Sequence, residues 1–427
     1  METTSQIDKL NINLPKFANE NSSFTQNRLD ALKHFSLLAM PNNYEHNWKY
    51  SNIDKLSLDT SVNIVNSHKA NNFDFISQYL KPFISSFIFL NTTTTQQTGH
   101  AVPNLYLSTL NNALINKQGL IDKLNQSFNT DNELIDKIYF YSQAYCNSGA
   151  VIDLKDNTKI EPTIIIYNEI NTPINQLNFL NLNDNSEAKV ILINFNQNLD
   201  TNNSLTNCLN KIKVGKNAKL YLAELNILND QTFYIGKSFV ELDRDARLEY
   251  LNFSLGSIQT KSDILTNLNN GSQISLYGSA FGRQNNNLSF NTIVNHLNPH
   301  AQSNIDYHIV LNDNAKSFYQ GSIFVDEHAN GTQAYQSNKN LLLGSGTHAE
   351  SLPKLEILAN EVHCSHGATV GKLDLDQLFY LQTRGLSRLQ AEKLLIEGFL
   401  KQTFKRYAQT ELFDLLSLFI NEQLEVK

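Results

Sequence analysis

A cysteine and a histidine two residues apart carry the clearest chemical signal in this sequence. Cys364 and His366 lie within residues 353–371, P-K-L-E-I-L-A-N-E-V-H-C-S-H-G-A-T-V-G, where short apolar runs predict strand. Because successive side chains of a strand alternate between its faces, residues i and i+2 point the same way. The spacing therefore places a thiol and an imidazole side by side, and these side chains suit soft metals and sulfur chemistry.

Cys364 also has a plain structural interpretation, since a free cysteine in a strand is usually a small buried hydrophobic residue. Glu361, His366 and the glycines at 367 and 371 favour a site instead. Three ligand types within six residues form an incomplete metal site, so a second chain would have to close it. A Cys–His hydrolase is disfavoured because neighbours on one strand leave no separately oriented base.

Histidines crowd this part of the chain. Seven of the eleven lie between residues 296 and 366: His296, His300, His308, His328, His348, His363 and His366. Three of them, His300, His328 and His348, precede the small residue of a recurring turn, where an imidazole can hydrogen-bond the turn backbone. We expect His363 to point away from the Cys364 face, so we do not count it as a ligand.

The recurring turn, two polar residues and a small one before a strand-like run, organises residues 148–372. The small residue is found at Ala188, Ala218, Ala246, Ser272, Ala301, Ala315, Ala329 and Ala349. Its spacing is about 28 residues as far as Ala301 and about half of that over the next two intervals, which predicts a β-solenoid, specifically a parallel β-helix. A β-sandwich is the alternative, but its N-G and D-G hairpin signals are nearly absent.

Helical patterns flank this region. On the N-terminal side, Ser23 and Gln26 form an S-x-x-Q capping box, and we interpret the single tryptophan, Trp48, as a core anchor. We predict a mainly β protein with an N-terminal helical domain over 1–86, a β-helix core over 87–372 and a C-terminal helical domain over 373–427. Residues 87 to about 147 form a mixed lead-in to the core.

The C-terminal helices have clear start signals. Asp374 with Gln377 caps the first, and Ser387 with Gln390 forms a capping box for the second. We expect Leu394 to lie on the buried side of the second helix. The helices carry more apolar surface than packing on the protein body requires, which predicts either a tight bundle or a docking site for a partner.

Composition excludes several classes of protein. Among 427 residues, 34 Lys and Arg against 41 Asp and Glu give a net charge of −7, which disfavours nucleic acid and anionic membranes as partners. Three cysteines without a C-x-x-C predict neither a disulfide framework nor a zinc finger. We find no signal peptide pattern and no long apolar run, and expect a soluble, reduced, cytoplasmic protein. A G-x-G-x-x-A match at 344–349 is followed by strand rather than helix, so we do not expect a nucleotide site there.

Several runs together resemble the SufB/SufD family of iron–sulfur cluster assembly subunits. They are N-H-L-N-P-H (295–300), Q-S-N-K-N-L-L-L (336–343), P-K-L-E-I (353–357), H-C-S-H-G-A-T-V-G (363–371), Q-L-F-Y-L-Q-T-R-G (377–385) and the E-x-x-W-K-Y segment that ends at residue 50. The C-S-H-G-A-T-V-G run favours the SufD branch over SufB. The chain departs from the family pattern at Asn360, His363 and Gly344.

The resemblance implies a right-handed parallel β-helix between two helical domains. It also implies a non-enzymatic scaffold that pairs with a SufB-like chain through the β-helix and binds the ATPase SufC through its C-terminal helices. On this template Cys364 and His366 lie at the SufB interface and share a transient iron–sulfur cluster with it.

Further expectations follow for the neighbouring residues and partners. Glu361, His296 and His300 are supporting candidates at the cluster site. For SufC docking we single out Phe379, Tyr380 and Arg384. A homodimer of the isolated chain and a flavin in the complex are left open. The alternative function is a β-solenoid binding module for a glycan or protein partner without metal chemistry. A stand-alone metal hydrolase would need three protein ligands from this chain.

Overall fold

The structure is a computed structural model. It describes residues 14–17, 20–49, 51, 53–58, 87–92, 97–98, 102–126, 128, 132–170, 173–196, 204–407 and 411–425. Part of the predicted N-terminal domain over 1–86 therefore lies outside the described residues.

Helices lie on both sides of a long β region. They are α1 (Ser22–Leu37), α2 (Leu110–Asn116), α3 (Gln118–Gln126), α4 (Lys137–Ala144), α5 (Leu375–Thr383), α6 (Arg388–Lys401) and α7 (Glu411–Glu425). Short 3₁₀ segments cover His46–Trp48, Ile53–Lys55 and Gln402–Tyr407.

Three short strands precede α2, and strands make up most of the chain between α4 and α5. The strands are β1 (Phe87–Asn91), β2 (Gln97–Thr98), β3 (Leu105–Thr109), β4 (Ala150–Leu154), β5 (Thr163–Glu169), β6 (Ile174–Leu182), β7 (Glu187–Phe195), β8 (Leu205–Val214), β9 (Lys219–Ile227), β10 (Phe233–Leu242), β11 (Arg247–Leu255), β12 (Gln259–Leu268), β13 (Gln273–Gly282), β14 (Asn287–His296), β15 (Gln302–Leu311), β16 (Lys316–Val325), β17 (Thr332–Leu342), β18 (His348–Ile357) and β19 (Val362–Lys372).

The strands form two sheets that the chain visits alternately. The first sheet has the order β19-β17-β15-β13-β11-β9-β7-β5-β1-β2, and the second has the order β18-β16-β14-β12-β10-β8-β6-β4-β3. From β4 and β5 onward, neighbours within each sheet are parallel. Lys219 pairs with Arg247 and Arg247 with Gln273, so each coil takes up one sequence repeat. The predicted parallel β-solenoid, of about seven turns, is confirmed, and the sandwich alternative is excluded.

Most of the recurring small residues are crowded corners of the solenoid. Six of the eight lie in turns between strands and are buried: Ala218, Ala246, Ser272, Ala301, Ala315 and Ala329. The other two predicted corners are wrong, because Ala188 and Ala349 lie within β7 and β18, and buried Ser186 occupies the corner before β7. Asn217 and Asp245 precede Ala218 and Ala246 with φ angles of 54° and 59°, in the left-handed region that Asn and Asp tolerate. Corner backbones also bond between coils; the Asn217 N–H, for example, donates to the Arg244 carbonyl oxygen at 3.1 Å.

The space between the two sheets, which we call the lumen, has an apolar half and a polar half. Inward-facing Leu, Ile and Val side chains near the alanine corners form one continuous buried cluster. At the opposite corner, buried amides bond from coil to coil: Asn168 donates to Asn194 Oδ1 at 3.1 Å, and Asn194 donates to Asn226 Oδ1 at 2.8 Å. Buried Glu224 accepts hydrogen bonds from the hydroxyls of two tyrosines there.

The N-terminal elements cover the outer face of the second sheet through two buried apolar clusters. Trp48 is buried among them, as predicted. The predicted capping box at Ser23 and Gln26 is wrong: α1 is capped by Asn21, whose side-chain oxygen accepts from the Phe24 N–H at 2.6 Å. Because the helix begins at Ser22, Ser23 already lies inside it, and the Asn21 carboxamide occupies the N-cap position.

The C-terminal helices α6 and α7 pack on the outer face of the first sheet. Asp374 caps α5, and Ser387 with Gln390 forms the capping box of α6, both as predicted. Leu394, predicted to be buried, is about half exposed, because Ile396 and Leu400 form the buried side of α6 instead. In the described part of the chain, no helix is both long and apolar enough to cross a membrane.

Candidate functional site

Cys364 and His366 lie on β19, the last strand of the first sheet. Cys364 pairs with Ala334 of β17, and His366 pairs with Gln336. Cys364 packs against the lumen cluster, so by strand alternation both side chains lie on the lumen side. In the described chain β19 pairs only with β17, and β18 only with β16. The thiol and the imidazole therefore sit at the open end of the solenoid.

The environment of Cys364 keeps its thiol protonated. The side chain is partly buried, and burial raises its pKa, against a smaller opposing effect of a hydrogen bond with the Ala334 backbone. A thiol in this state is a weak nucleophile until a metal or a positive group displaces its proton.

The surroundings of His366 are open. The imidazole is exposed. His363 is also exposed but has the opposite parity on β19, so it faces outward, away from Cys364. Gly367 and Gly371 share the parity of His363, and a Cβ placed on either would meet no atom within 4 Å, so the outer side of the strand is uncovered there. The strand thus presents one thiol and one imidazole on its inner side.

Glu361 and His300 lie in corner turns on either side of the turn that holds Asn330 and Gly331. The Gly331 N–H donates to the Glu361 carbonyl oxygen at 2.7 Å, and the His300 N–H donates to the Asn330 carbonyl oxygen at 2.9 Å. Both side chains are exposed. Glu361 is three residues from Cys364 at the same end of β19, whereas His300 is two coils away.

His296 is buried inside the lumen. Its Nε2 lies 2.9 Å from the Ser303 hydroxyl, and burial lowers the pKa of the imidazole to about 4. Ser303 pairs with Ala334, which pairs with Cys364, so His296 lies two coils below the thiol. The structure therefore brings Cys364 and His366 together at the edge and leaves His296 as an interior neutral histidine.

No group of three or more His, Cys, Asp and Glu side chains among the described residues could hold a metal ion. Cys364 and His366 supply two ligands, fewer than the four that a small iron–sulfur cluster takes. On its own geometry the site is one part of a ligand set.

The residues singled out for partner docking lie on α5. Phe379 and Tyr380 are 68% and 56% exposed, and Leu375 on the same helix is 70% exposed. The Arg384 guanidinium lies 5.2 Å from the Tyr380 ring centroid. This surface, which we call the α5 apolar surface, is the most exposed large apolar group in the described C-terminal helices.

Two further features of the sequence have clear structural outcomes. The G-x-G-x-x-A match at 344–349 forms a turn that leads into β18 and not into a helix, as expected.

Sequence reasoning missed Gln336, a buried amide that adjoins His366 on the neighbouring strand of the first sheet. The available signal was the alternation of amides in Q-S-N-K-N, which places three of them on one face.

Comparisons with known proteins agree with this architecture. Residues 165–399 match the family model described as SUF system FeS cluster assembly, SufBD core domain. The chain is 31% identical over 189 residues to the iron–sulfur cluster assembly protein SufD of Escherichia coli, covering 44% of this chain and 45% of that protein. It is 26% identical over 285 residues to SufD of Bacillus subtilis, covering 65% of each chain.

A protein of Mycobacterium tuberculosis described as an iron–sulfur cluster assembly SufBD family protein is 29% identical over 206 residues, which cover 46% of this chain and 52% of the relative. This match and the one to Escherichia coli SufD span about half the length of each relative. The family model covers more than half of the present chain and includes β19, the strand that carries Cys364 and His366. The chain therefore belongs to the SufB/SufD family of the SUF iron–sulfur cluster assembly system, and within it the chain is SufD-like.

Proposed function

We propose that this chain is a non-catalytic scaffold subunit of a SUF complex, in which a SufB-like chain covers the open end of the solenoid. The carrying observation is the position of Cys364 and His366 on an edge strand with no further strand beside it in the described chain. Edge strands of ten and eleven residues offer unpaired backbone groups that favour pairing with another chain. A nascent iron–sulfur cluster, the cargo of the assembly, is then held between the two chains.

The protonation of Cys364 suits a transient cluster. A thiol whose pKa is raised by burial binds iron less tightly at a given pH, since binding must first displace a proton. The exposed imidazole of His366 gives a second ligand at the same edge. The remaining ligands come from the SufB-like chain.

The α5 apolar surface is the proposed docking site for a SufC-like ATPase. Phe379 and Tyr380 are large, exposed and adjacent, and Arg384 lies over the Tyr380 ring. Aromatic and arginine side chains are the residue types that most often dominate binding energy at protein interfaces. ATP hydrolysis by this partner drives the assembly.

The test is co-expression with SufB-like and SufC-like proteins, followed by copurification and anaerobic cluster reconstitution. We expect this chain to recover both partners, and the double variant Cys364→Ala/His366→Ala to lose cluster formation while keeping the complex. His363→Ala, which removes an outward-facing imidazole of the same strand, is the matched control and should change nothing. Recovery of neither partner would instead favour the binding-module alternative.

Docking of the ATPase needs a separate variant. Truncation after Gly371 would expose the apolar face of the first sheet that α6 and α7 cover, so loss of binding there would be ambiguous. Phe379→Ala/Tyr380→Ala changes only exposed side chains of α5 and should abolish recovery of the SufC-like protein, but not of the SufB-like protein. Gln382→Ala, exposed on the same helix, is the control. Retained ATPase binding in the double variant would refute this docking site.

A further inference from the structure

Three amide side chains follow one another along the inner face of β17, and the carbonyl oxygen of one has no donor among the described residues. Gln336, Asn338 and Asn340 are all buried. Asn338 donates to the Tyr307 carbonyl oxygen at 3.4 Å; Asn340 donates to Asn338 Oδ1 at 2.7 Å and accepts from the Ser317 hydroxyl at 3.1 Å. Gln336 Oε1 is buried and has no hydrogen-bond donor among the described residues.

Gly321 determines where the Gln336 amide lies. This glycine is on the inner face of β16, in the second sheet, and a Cβ placed on it would lie 2.3 Å from Nε2 and 2.6 Å from Oε1 of Gln336. The Gln336 side chain thus crosses the lumen from the first sheet and occupies the space that the glycine leaves. It forms the floor of the open end, one coil below β19.

His366 is the neighbour of Gln336 on the next strand. Paired residues of adjacent strands are about 4.8 Å apart, and both side chains lie on the lumen side. A neutral imidazole always carries one N–H donor and one bare nitrogen. A buried carbonyl oxygen without a donor is unfavourable, so a donor that can turn toward it gains stability.

We propose that Gln336 is a positioning residue for His366. With the ring turned into the lumen, one ring N–H donates to Gln336 Oε1, and the bare nitrogen faces the open edge as a ligand. The hydrogen bond fixes the tautomer and the ring orientation. Its consequence for cluster assembly rests on the proposed function, whereas the bond itself is a property of this chain alone.

The direct test is NMR of the full chain with ¹⁵N-labelled histidine, in which the signals that His366→Gln removes are assigned to His366. We expect one ring tautomer in the wild type and in Gln336→Glu, which keeps an acceptor oxygen. A tautomer mixture is expected in Gln336→Met, which keeps only the shape. Gln333→Leu, outward-facing on the same strand, is the control and should match the wild type. Identical His366 ring shifts in the wild type and Gln336→Met would overturn the proposal.

Gly321→Ala provides a second route, because its Cβ displaces the amide without changing β17 or β19. It should produce the same tautomer mixture as Gln336→Met. Wild-type His366 shifts in Gly321→Ala would likewise count against the proposal.

The functional arm separates this proposal from the proposed function. In the complex with the SufB-like chain, Gln336→Met should lower the rate of cluster formation about 10-fold, as loss of an outer-shell partner of a ligating histidine typically does. Gln336→Glu should keep most of it. If His366→Ala leaves the rate unchanged, the proposed function fails, and the NMR result still decides the hydrogen bond. If His366→Ala abolishes cluster formation but Gln336→Met does not slow it, the positioning role alone is wrong.

Discussion

Two lysines, two aspartates and the single tryptophan form a buried charge cluster beneath the N-terminal region. Asp263 accepts a hydrogen bond from Lys261, and its Oδ2 lies 3.5 Å from Lys237 Nζ. Lys237 also pairs with Asp136 at 2.9 Å. The ring centroid of Trp48 lies 5.6 Å and 5.5 Å from the ammonium nitrogens of Lys237 and Lys261. The cluster ties the segment that carries Trp48 to β10 and β12 of the solenoid.

Asp263→Asn removes one negative charge from this cluster while keeping its shape. Lys261 then loses the carboxylate that it hydrogen-bonds, and breaking a buried pair from one side costs about 3–5 kcal/mol. Burial already lowers the pKa of Lys261, so the lysine can release its proton and limit the loss. We therefore expect a loss of about 3 kcal/mol in the free energy of unfolding at pH 7. The loss should be smaller at pH 9. Lys261 is neutral in the folded variant but keeps its proton in the unfolded chain up to about pH 10, so folding releases a proton and becomes more favourable as the pH rises.

The assay is urea unfolding followed by both Trp48 fluorescence and far-UV circular dichroism. Asp30→Asn, which breaks the exposed pair of Asp30 with Lys33, is the control and should cost no more than about 0.5 kcal/mol. Lys261→Met/Asp263→Leu removes both charges and should recover much of the lost stability. A change of less than about 1 kcal/mol for Asp263→Asn would refute the reasoning, because it would mean that the buried charges need no mutual compensation.

Three further predictions concern single residues. Burial raises the pKa of Glu241 to about 7, so ionisation destabilises the fold as pH rises from about 4.5 through 7. In urea unfolding, the stability of Glu241→Gln relative to the wild type should rise by about 2 kcal/mol between pH 5 and pH 8. A difference that stays constant with pH would contradict this. The pKa of His296 is lowered to about 4, because its imidazole is buried. On going from pH 7 to pH 4.5, the free energy of unfolding should therefore fall by about 2 kcal/mol more in the wild type than in His296→Gln. Parallel pH profiles of the two proteins would contradict this. His300 has a φ of 62°, so His300→Gly should raise stability by about 1 kcal/mol, and a lower melting temperature would argue against strain there.

The solenoid could be predicted because its signal is local and repeated. At several corners a small residue such as Ala218 or Ala246 follows a polar residue that tolerates positive φ, so the sequence itself shows the spacing of the corners. The capping of α1 and the burial of Leu394 could not be predicted in the same way. Each depends on choosing among neighbouring positions, Asn21 against Ser23 or Ile396 against Leu394, and tertiary packing makes that choice.

The candidate site also has a part that could be predicted from local sequence and a part that could not. The pairing of Cys364 with His366 follows from strand alternation alone. The depth of His296 depends on the coil-to-coil register that stacks Ser303 beneath Ala334 and Cys364. Gln336 is a whole coil away from His366 along the chain, and only the register of the solenoid makes the two residues neighbours.

The central claim is that Cys364 and His366 are this chain's contribution to a cluster site shared with a SufB-like chain. The most direct measurement is the amount of iron–sulfur cluster that forms in the copurified complex when His366→Ala is compared with His363→Ala. These variants remove imidazoles from opposite faces of one strand. We predict that cluster formation is lost in His366→Ala and unchanged in His363→Ala, with both complexes intact. Equal cluster formation in the two variants would contradict the account.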